Sequence, residues 1–402
     1  MARTTRRRRR LDVRFGVASQ RMRIAGVSGS GIWWCGSAVL ALVIAVIAVV
    51  FPESVPDWVK HPLTAAGVVV IAGGLVIDHF RALRRNARAA QELAEWGVSA
   101  LESGRNADAL YGLEESTKIY RRLARINAAR FEPGLAMSLM NLGAAYRRAG
   151  RDADALSVSE ESVEIRRRLA ADNPGFFEHL AMSAANLGVS YLDVGRDADA
   201  LSISEESVTI YRKLAAGNPY FQTDLAWSLT NLGALYGTSA RGSDALHTLE
   251  EAVDIWRRLA AEDPAPFEPD LATSLTNLGV VYRSVDRDAD AMNVSEECVK
   301  IQRRLSATNG ELFEPDLASS LANLALCYTK VDRDTDALRT LEESTEIYQR
   351  QYDSGHRSSS FLRDMEKAQR YLATVERNIK ATKLWEEFDT APRGREKGRD
   401  LT

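Results

Sequence analysis

The chain repeats itself at a long, fixed interval. The triplet Asn-Leu-Gly occurs at Asn141, Asn186, Asn231 and Asn277 and returns as Asn-Leu-Ala at Asn323, with spacings of 45, 45, 46 and 46 residues. Whole segments superpose, NLGAAYRRAGRDADALSVSEESVEIRRRLA from 141 lying over NLGVSYLDVGRDADALSISEESVTIYRKLA from 186. A degenerate copy, EWGVSALESGRNADALYGLEESTKIYRRLA, begins at Glu95, 46 residues before Asn141. Six copies therefore fill residues 93–352. Units of this length cannot bury an apolar face alone, so they must stack on their neighbours. An apolar content of 45% with 11 prolines in 402 residues excludes a disordered chain. Three cysteines without CxxC spacing exclude a disulfide scaffold and make a reducing compartment the default.

Each copy reads as two helices. The first is expected to begin near the recurring Phe131, Phe176, Phe221, Phe267 and Phe313, with Pro133, Pro269 and Pro315 in its first turn, where a missing N–H costs nothing. Leu135, Leu139, Leu142 and Tyr146 follow at intervals of four, three and four, which puts them on one helical stripe. Gly-Arg-Asp or Asp-Arg-Asp ends it. The second helix carries Asp152 and Asp154 in its first turn and Arg167 and Arg168 in its last, matching the helix dipole. Asn-Pro at 173–174 and 218–219 and Asp-Pro at 263–264 then break it.

At these residues the chain resembles the tetratricopeptide repeat family. The pattern of a large apolar residue, then Leu-Gly, Tyr and Ala stands here as Leu139, Leu142-Gly143, Tyr146 and Ala155, and again as Leu275, Leu278-Gly279, Tyr282 and Ala291. The period departs from the common one and is similar to that of kinesin-light-chain-type repeats. The resemblance implies an all-α solenoid of helical hairpins wound into a right-handed superhelix, with the first helix of each pair facing a concave groove. It also implies that Asn141, Asn186, Asn231, Asn277 and Asn323 form a ladder of amides along that groove, able to hold the backbone of an extended peptide. A framework role for the same asparagines competes evenly with that reading. Val189, Ala234, Val280 and Leu326 fall one turn away, with Arg147, Arg148, Arg283 and Lys330 near the helix ends, which favours a partner segment with apolar and acidic residues.

Where the family has an aromatic in the second helix, this chain has Leu113, Ser159, Ser204, Leu249, Ser295 and Leu341. The extra phenylalanine of each copy is expected to refill that volume, since interiors are packed to near-crystal density.

Ahead of the repeats the charge is uneven. Residues 1–31 hold nine arginines against Asp12, net +8, whereas residues 79–402 sum to −9. Residues 32–51 read IWWCGSAVLALVIAVIAVVF, twenty without a charge, which as a helix spans the roughly 30 Å hydrocarbon core of a bilayer. A second apolar run, 59–77, is expected to return across it, making residues 32–78 a transmembrane hairpin. A cleaved secretory leader fits less well, because the arginines at 6–10 lie far ahead of an apolar core that is too long. Arginine-rich flanks stay cytoplasmic, so both termini are placed inside the cell membrane with a short loop outside. Residues 1–31 form a basic tail in which Arg6, Arg7, Arg8, Arg9 and Arg10 face anionic lipid, and residues 79–92 a linker. Residues 353–386 read as a capping helix and 387–402 as a disordered tail. Arginine outnumbers lysine 43 to 9, a weak pointer to a GC-rich bacterial genome.

The sequence shows no nucleophile with its base and no metal-ligand spacing among the five histidines. GVSGSG at 26–31 lacks the strand that a phosphate loop needs and reads as a tether. An acidic body argues against nucleic acid. The Glu-Glu pairs at 160–161, 205–206 and 296–297 read as solvated faces, and Cys298 and Cys327 as small packed side chains, with redox sensing the lesser alternative. No cofactor or small-molecule substrate is expected. The reading is a membrane-tethered, non-enzymatic adaptor that binds a protein or peptide, with a structural subunit of a membrane complex or a non-catalytic signalling component as alternatives.

Overall fold

A computed structural model of the chain describes residues 62–239 and 241–390, and these residues are all-α. Thirteen helices follow one another without a strand among the described residues: α1 (Pro62–Glu102), α2 (Asn106–Ile126), α3 (Ala128–Arg148), α4 (Asp152–Asp172), α5 (Phe177–Asp193), α6 (Asp197–Gly217), α7 (Gln222–Thr238), α8 (Gly242–Glu262), α9 (Pro264–Ser284), α10 (Asp288–Thr308), α11 (Gly310–Lys330), α12 (Asp334–Asp353) and α13 (Ser359–Thr390). Contacts divide them into two units that meet in sequence between Gly195 and Arg196. The first holds α1–α5 and the second α6–α13.

Caps decide where the first helices begin. Asn127 Oδ1 accepts from Arg130 N at 3.0 Å and Asn309 Oδ1 from Leu312 N at 3.2 Å, so α3 and α11 start several residues ahead of their phenylalanines. Pro133, Pro269 and Pro315 consequently sit inside their helices rather than in the first turn. In α5 and α7 the expected break is present: Asn173 and Asn218 cap a 3₁₀ turn, Pro174–Phe176 and Pro219–Phe221, before the helix proper. The turns into the second helices need a left-handed residue, supplied by Gly104, Gly150 and Gly195 at φ of 73°, 70° and 75° and by Asp286 and Asp332 at 57° and 58°.

The apolar stripe read from the sequence is the core. In the first unit Leu135, Leu139, Leu142 and Tyr146 of α3 pack with Ala155, Val158 and Ile165 of α4 and with Leu101 and Leu113. In the second, Leu317, Leu321 and Leu324 of α11 pack with Leu341 and Tyr348 of α12. Each such buried leucine contributes about 1.5–3 kcal/mol.

The phenylalanines do not refill the serine positions. Those positions face the glycine of their own hairpin: a Cβ on Gly143 would stand 2.8 Å from Ser159 Oγ, and one on Gly233 only 2.5 Å from Leu249 Cγ. The large buried side chains lie later in the second helices, at Arg166, Tyr211, Trp256, Gln302 and Tyr348. Phe267 packs on Trp256 with ring centroids 6.1 Å apart, and Phe361 of α13 on Tyr348 at 5.4 Å. Phe131 is buried, whereas Phe176, Phe221, Phe267 and Phe313 are half-buried because they close the helix ends.

The N-terminal expectations need revision. Residues 79–92, read as a linker, belong to α1, a single 41-residue helix that also supplies the first helix of the first repeat. Among the described residues no helix is long and apolar enough to cross a membrane, so the second span is not supported. The 32–51 stretch and the basic tail with Arg6–Arg10 lie outside the described residues, and of the stretch read as a disordered tail, 387–402, residues 387–390 belong to α13 and the rest lie outside them. At the other end α13 lays Phe361, Ala368 and Val375 into the last core and is exposed along its outer side.

Candidate functional site

Successive first helices touch within each unit, α1 with α3 and α3 with α5, then α7 with α9 and α9 with α11. The five asparagines sit on these helices. Asn141 and Asn186 are half-buried on α3 and α5 of the first unit; Asn231 and Asn323 are half-buried on α7 and α11 of the second. Asn277 on α9 differs, being only 5% exposed with an Oδ1 that finds no partner among the described residues. Asn186 already donates to its own helix, Nδ2 to Met182 O at 3.1 Å.

Two of the cations expected to recognise acidic residues, Arg147 and Arg148, have framework contacts. Arg147 Nη1 donates to Asn186 O at 3.0 Å and to Ser190 Oγ at 3.2 Å, strapping α3 to α5. Arg148 reaches the opposite way and donates to Leu101 O at the end of α1. In the second unit Arg283 is half-buried and Lys330 exposed at the ends of α9 and α11. A small pocket between these helices is lined by Thr276, Val280 and Arg283 of α9, Cys298 of α10, and Ser320 and Asn323 of α11. It places one amide of the column beside an apolar side chain and a guanidinium, the combination anticipated for a mixed apolar and acidic partner. Val280 is exposed at its mouth, while Val189, Ala234 and Leu326 are half-buried.

Cys298 and Cys327 are free, buried and embedded in polar networks. Cys298 Sγ donates to Ala272 O at 3.4 Å, the bond that Ser116, Ser162 and Ser344 make to Ala90, Ala136 and Ala318 at 2.7–2.9 Å. Cys327 lies 3.6 Å from Ser295 Oγ, as Ser190 lies 3.3 Å from Ser159 Oγ. Burial raises both thiols above their ordinary pKa, which keeps them protonated and unreactive. Each cysteine stands where another copy has a serine, which favours the packing reading.

What sequence reasoning missed is a clasp between consecutive repeats. The first glutamate of each Glu-Glu pair accepts from the tyrosine of the next first helix: Tyr146 Oη to Glu114 at 2.9 Å, Tyr191 to Glu160 at 3.0 Å, Tyr236 to Glu205 at 2.7 Å, Tyr282 to Glu250 at 2.7 Å and Tyr328 to Glu296 at 3.0 Å. The turn arginine lies on that ring, Arg151, Arg241, Arg287 and Arg333 standing 4.2, 4.2, 4.5 and 4.4 Å from the centroids. It also binds the aspartate three residues on, as Arg241 Nε does Asp244 at 2.6 Å. The second glutamate pairs with an arginine of the preceding second helix: Arg257 with Glu297 at 2.6 Å, Arg303 with Glu343 at 2.7 Å, and Arg121 with Glu161. The glutamate pairs are therefore inter-repeat fasteners and not solvated faces. Burial, then the hydrogen bond to Glu205 or Glu250, pushes Tyr236 and Tyr282 up to about 12.

Within each unit the hairpins stack with their first helices side by side, which is a tetratricopeptide-like arrangement. The profile of the tetratricopeptide repeat family matches residues 135–174, 180–216, 225–265 and 271–308, so these four copies are tetratricopeptide repeats. Repeats of this type are generally non-catalytic modules that bind other proteins. A comparison with curated proteins found no match. Among solved structures, BtubC (BKLC) from P. vanneervenii is 22% identical with a TM-score of 0.50, covering 62% of this chain and 92% of its own. A putative kinesin light chain of Podosopora anserina with nearly identical TPR-like repeats is 21% identical at a TM-score of 0.43, covering 55% and 96%. At 22% identity the likeness to BtubC speaks to the fold alone.

Proposed function

We propose that this protein is a membrane-tethered adaptor that holds a segment of another protein on the face formed by its first helices. The observation that carries the reading is the set of side chains around a water-sized cleft at Asn323, where an amide that both donates and accepts lies with the exposed apolar side chain of Val280 and the Arg283 guanidinium. Such a set favours an extended segment that carries both apolar and acidic residues. Asn231 and, in the first unit, Asn141 and Asn186 extend the same chemistry, with Arg147 and Arg148 orienting the first helices rather than meeting the partner. Asn277 is too enclosed for that task and acts in the framework.

Tethering rests on the uncharged 32–51 stretch, with the apolar start of α1 beside it at the bilayer. Arg6–Arg10 would add attraction to anionic lipid. Holding the repeats at a membrane raises the local concentration of any membrane-associated partner.

The full chain, solubilised from membranes, is used to capture its partner alongside Asn231→Ala/Asn323→Ala and Asn277→Ala. Capture is expected to fall about tenfold or more in the double variant and to persist in Asn277→Ala. Equal capture by all three would refute the amide face as the binding surface.

A further inference from the structure

The first half of α1 carries a surface that the adaptor reading leaves unused. Arg81, Arg84, Arg85 and Arg88 are spaced at i, i+3, i+4 and i+7, so on a helix of about 100° per residue they share an arc of about 100°. All four are exposed. Val70 and Ile77 project from that same arc, 73% and 52% exposed, and Phe80 from its margin. Side chains of the other arc, Ala82, Leu83, Asn86 and Ala87, are half-buried, and full burial against the repeats begins at Ala90. Ile71 and Val76 are exposed outside that arc, at 64% and 38%, so the exposed surface of one helix changes from apolar on more than one side to cationic within a turn, with no described part of the protein covering either stretch.

We infer that Arg81, Arg84, Arg85 and Arg88 form a collar for the phosphate headgroups of anionic phospholipids. The inference rests on the tethering reading, because it takes the exposed Val70–Phe80 segment to contact the bilayer interior. The dimensions agree: Arg81 to Arg88 rises about 10 Å along the axis, comparable with a headgroup layer and the reach of an arginine. Charge complementarity selects the occupant. Residues 79–89 contain four arginines and no acid, and the nearest carboxylate, Asp78, meets Arg81 at 3.2 Å in a pair that is 71% exposed on both sides. Such an exposed pair leaves the guanidinium open to a phosphate. Arginine suits that ligand through its planar fork of donors. A soluble acidic segment would account for the arginines but not for the exposed apolar side chains that precede them on the same helix. Because α1 runs unbroken from this collar into the first repeat, bound headgroups would also fix the pose of that repeat at the membrane surface.

The test uses the full chain with Arg6–Arg10 replaced by Ser throughout, so that only the collar is read. The four α1 arginines are left, changed together to Gln, or changed together to Lys. Each protein is reconstituted into phosphatidylcholine vesicles containing a minor fraction of phosphatidylglycerol. Lipid retained after gentle detergent release is weighed by native mass spectrometry. The preference for phosphatidylglycerol is expected to fall about tenfold or more in the Gln protein and to stay within about threefold in the Lys protein. An unchanged preference in the Gln protein overturns the inference, as does displacement of the lipid by polyglutamate or by inorganic phosphate. A parallel alkaline carbonate wash reports on tethering separately: protein washed off the vesicles sinks the tether, whereas protein that stays but shows no lipid preference sinks only the collar.

Discussion

The smallest features that decide this fold are single residues standing in for one another across copies. Cys298 occupies the site of Ser116, Ser162 and Ser344 and donates to the same helix carbonyl. Cys298→Ser is therefore expected to shift stability by less than about 0.5 kcal/mol, since it restores the prevailing bond. Cys298→Leu should lose about 1–3 kcal/mol by overpacking. Urea unfolding of both variants checks the pair, and a Ser variant as damaged as the Leu variant would point to a thiol role that packing does not explain. Gly150 isolates a backbone effect. It sits at φ 70° with nothing within 4 Å of where a Cβ would stand, so Gly150→Ala meets no neighbour and its cost is conformational alone, about 1–2 kcal/mol by thermal melting. Asn277 makes the complementary point about the amide column: identical in sequence to its fellows, it is enclosed while they are half-buried. Residue type announced the column, but burial of each member depends on the neighbours of each helix.

At the scale of helices, the hairpins were legible because their signals are local. The Leu135–Tyr146 stripe, the Gly-Arg-Asp turns and the Asn-Pro breaks each act within one or two turns of chain, and all appear where expected. The clasps were not legible, because Glu205 and Tyr236 are 31 residues apart and each alone looks like an ordinary half-exposed side chain. The α1 boundary was misplaced for a related reason: an abrupt change from apolar to arginine resembles a domain edge, although helix propensity continues across it. The clasp predicts a pH response. Tyr236 and Tyr282 hold their protons up to about 12 when folded, against about 10 in an unfolded chain. The unfolded state then releases protons first as pH rises, so the tyrosines' contribution is complete below pH about 10 and is lost towards pH about 12. Helicity followed through an alkaline titration should fall in that window. Tyr236→Phe/Tyr282→Phe should flatten the fall and cost about 0.5–1.5 kcal/mol per hydrogen bond at neutral pH. A double variant that keeps the wild-type alkaline profile would remove the clasp as its cause.

For the chain as a whole, stacking means that a repeat is supported only by its neighbours and stability is close to a sum of local terms. The C-terminal end shows what this implies. Phe361, Ala368 and Val375 of α13 are buried against Leu341, Ile347 and Tyr348 of α12, and Leu317, Leu321 and Leu324 of α11 belong to the same core. Phe361 and Val375 contribute about 1.5–3 kcal/mol each by area alone. Tyr348, 2% exposed with its hydroxyl raised by burial, would lose the ring of Phe361 and meet water if α13 were removed. Truncation after Asp353 is therefore expected to cost several kcal/mol, concentrated at α11 and α12, the helices that α13 packs against. Hydrogen exchange on the truncated chain should show amide protection falling in residues 310–353 and staying near wild type in residues 106–172 of the first unit. A uniform fall over both segments would mean that the repeats unfold as one cooperative body, and that the nearest-neighbour account of their stability is wrong.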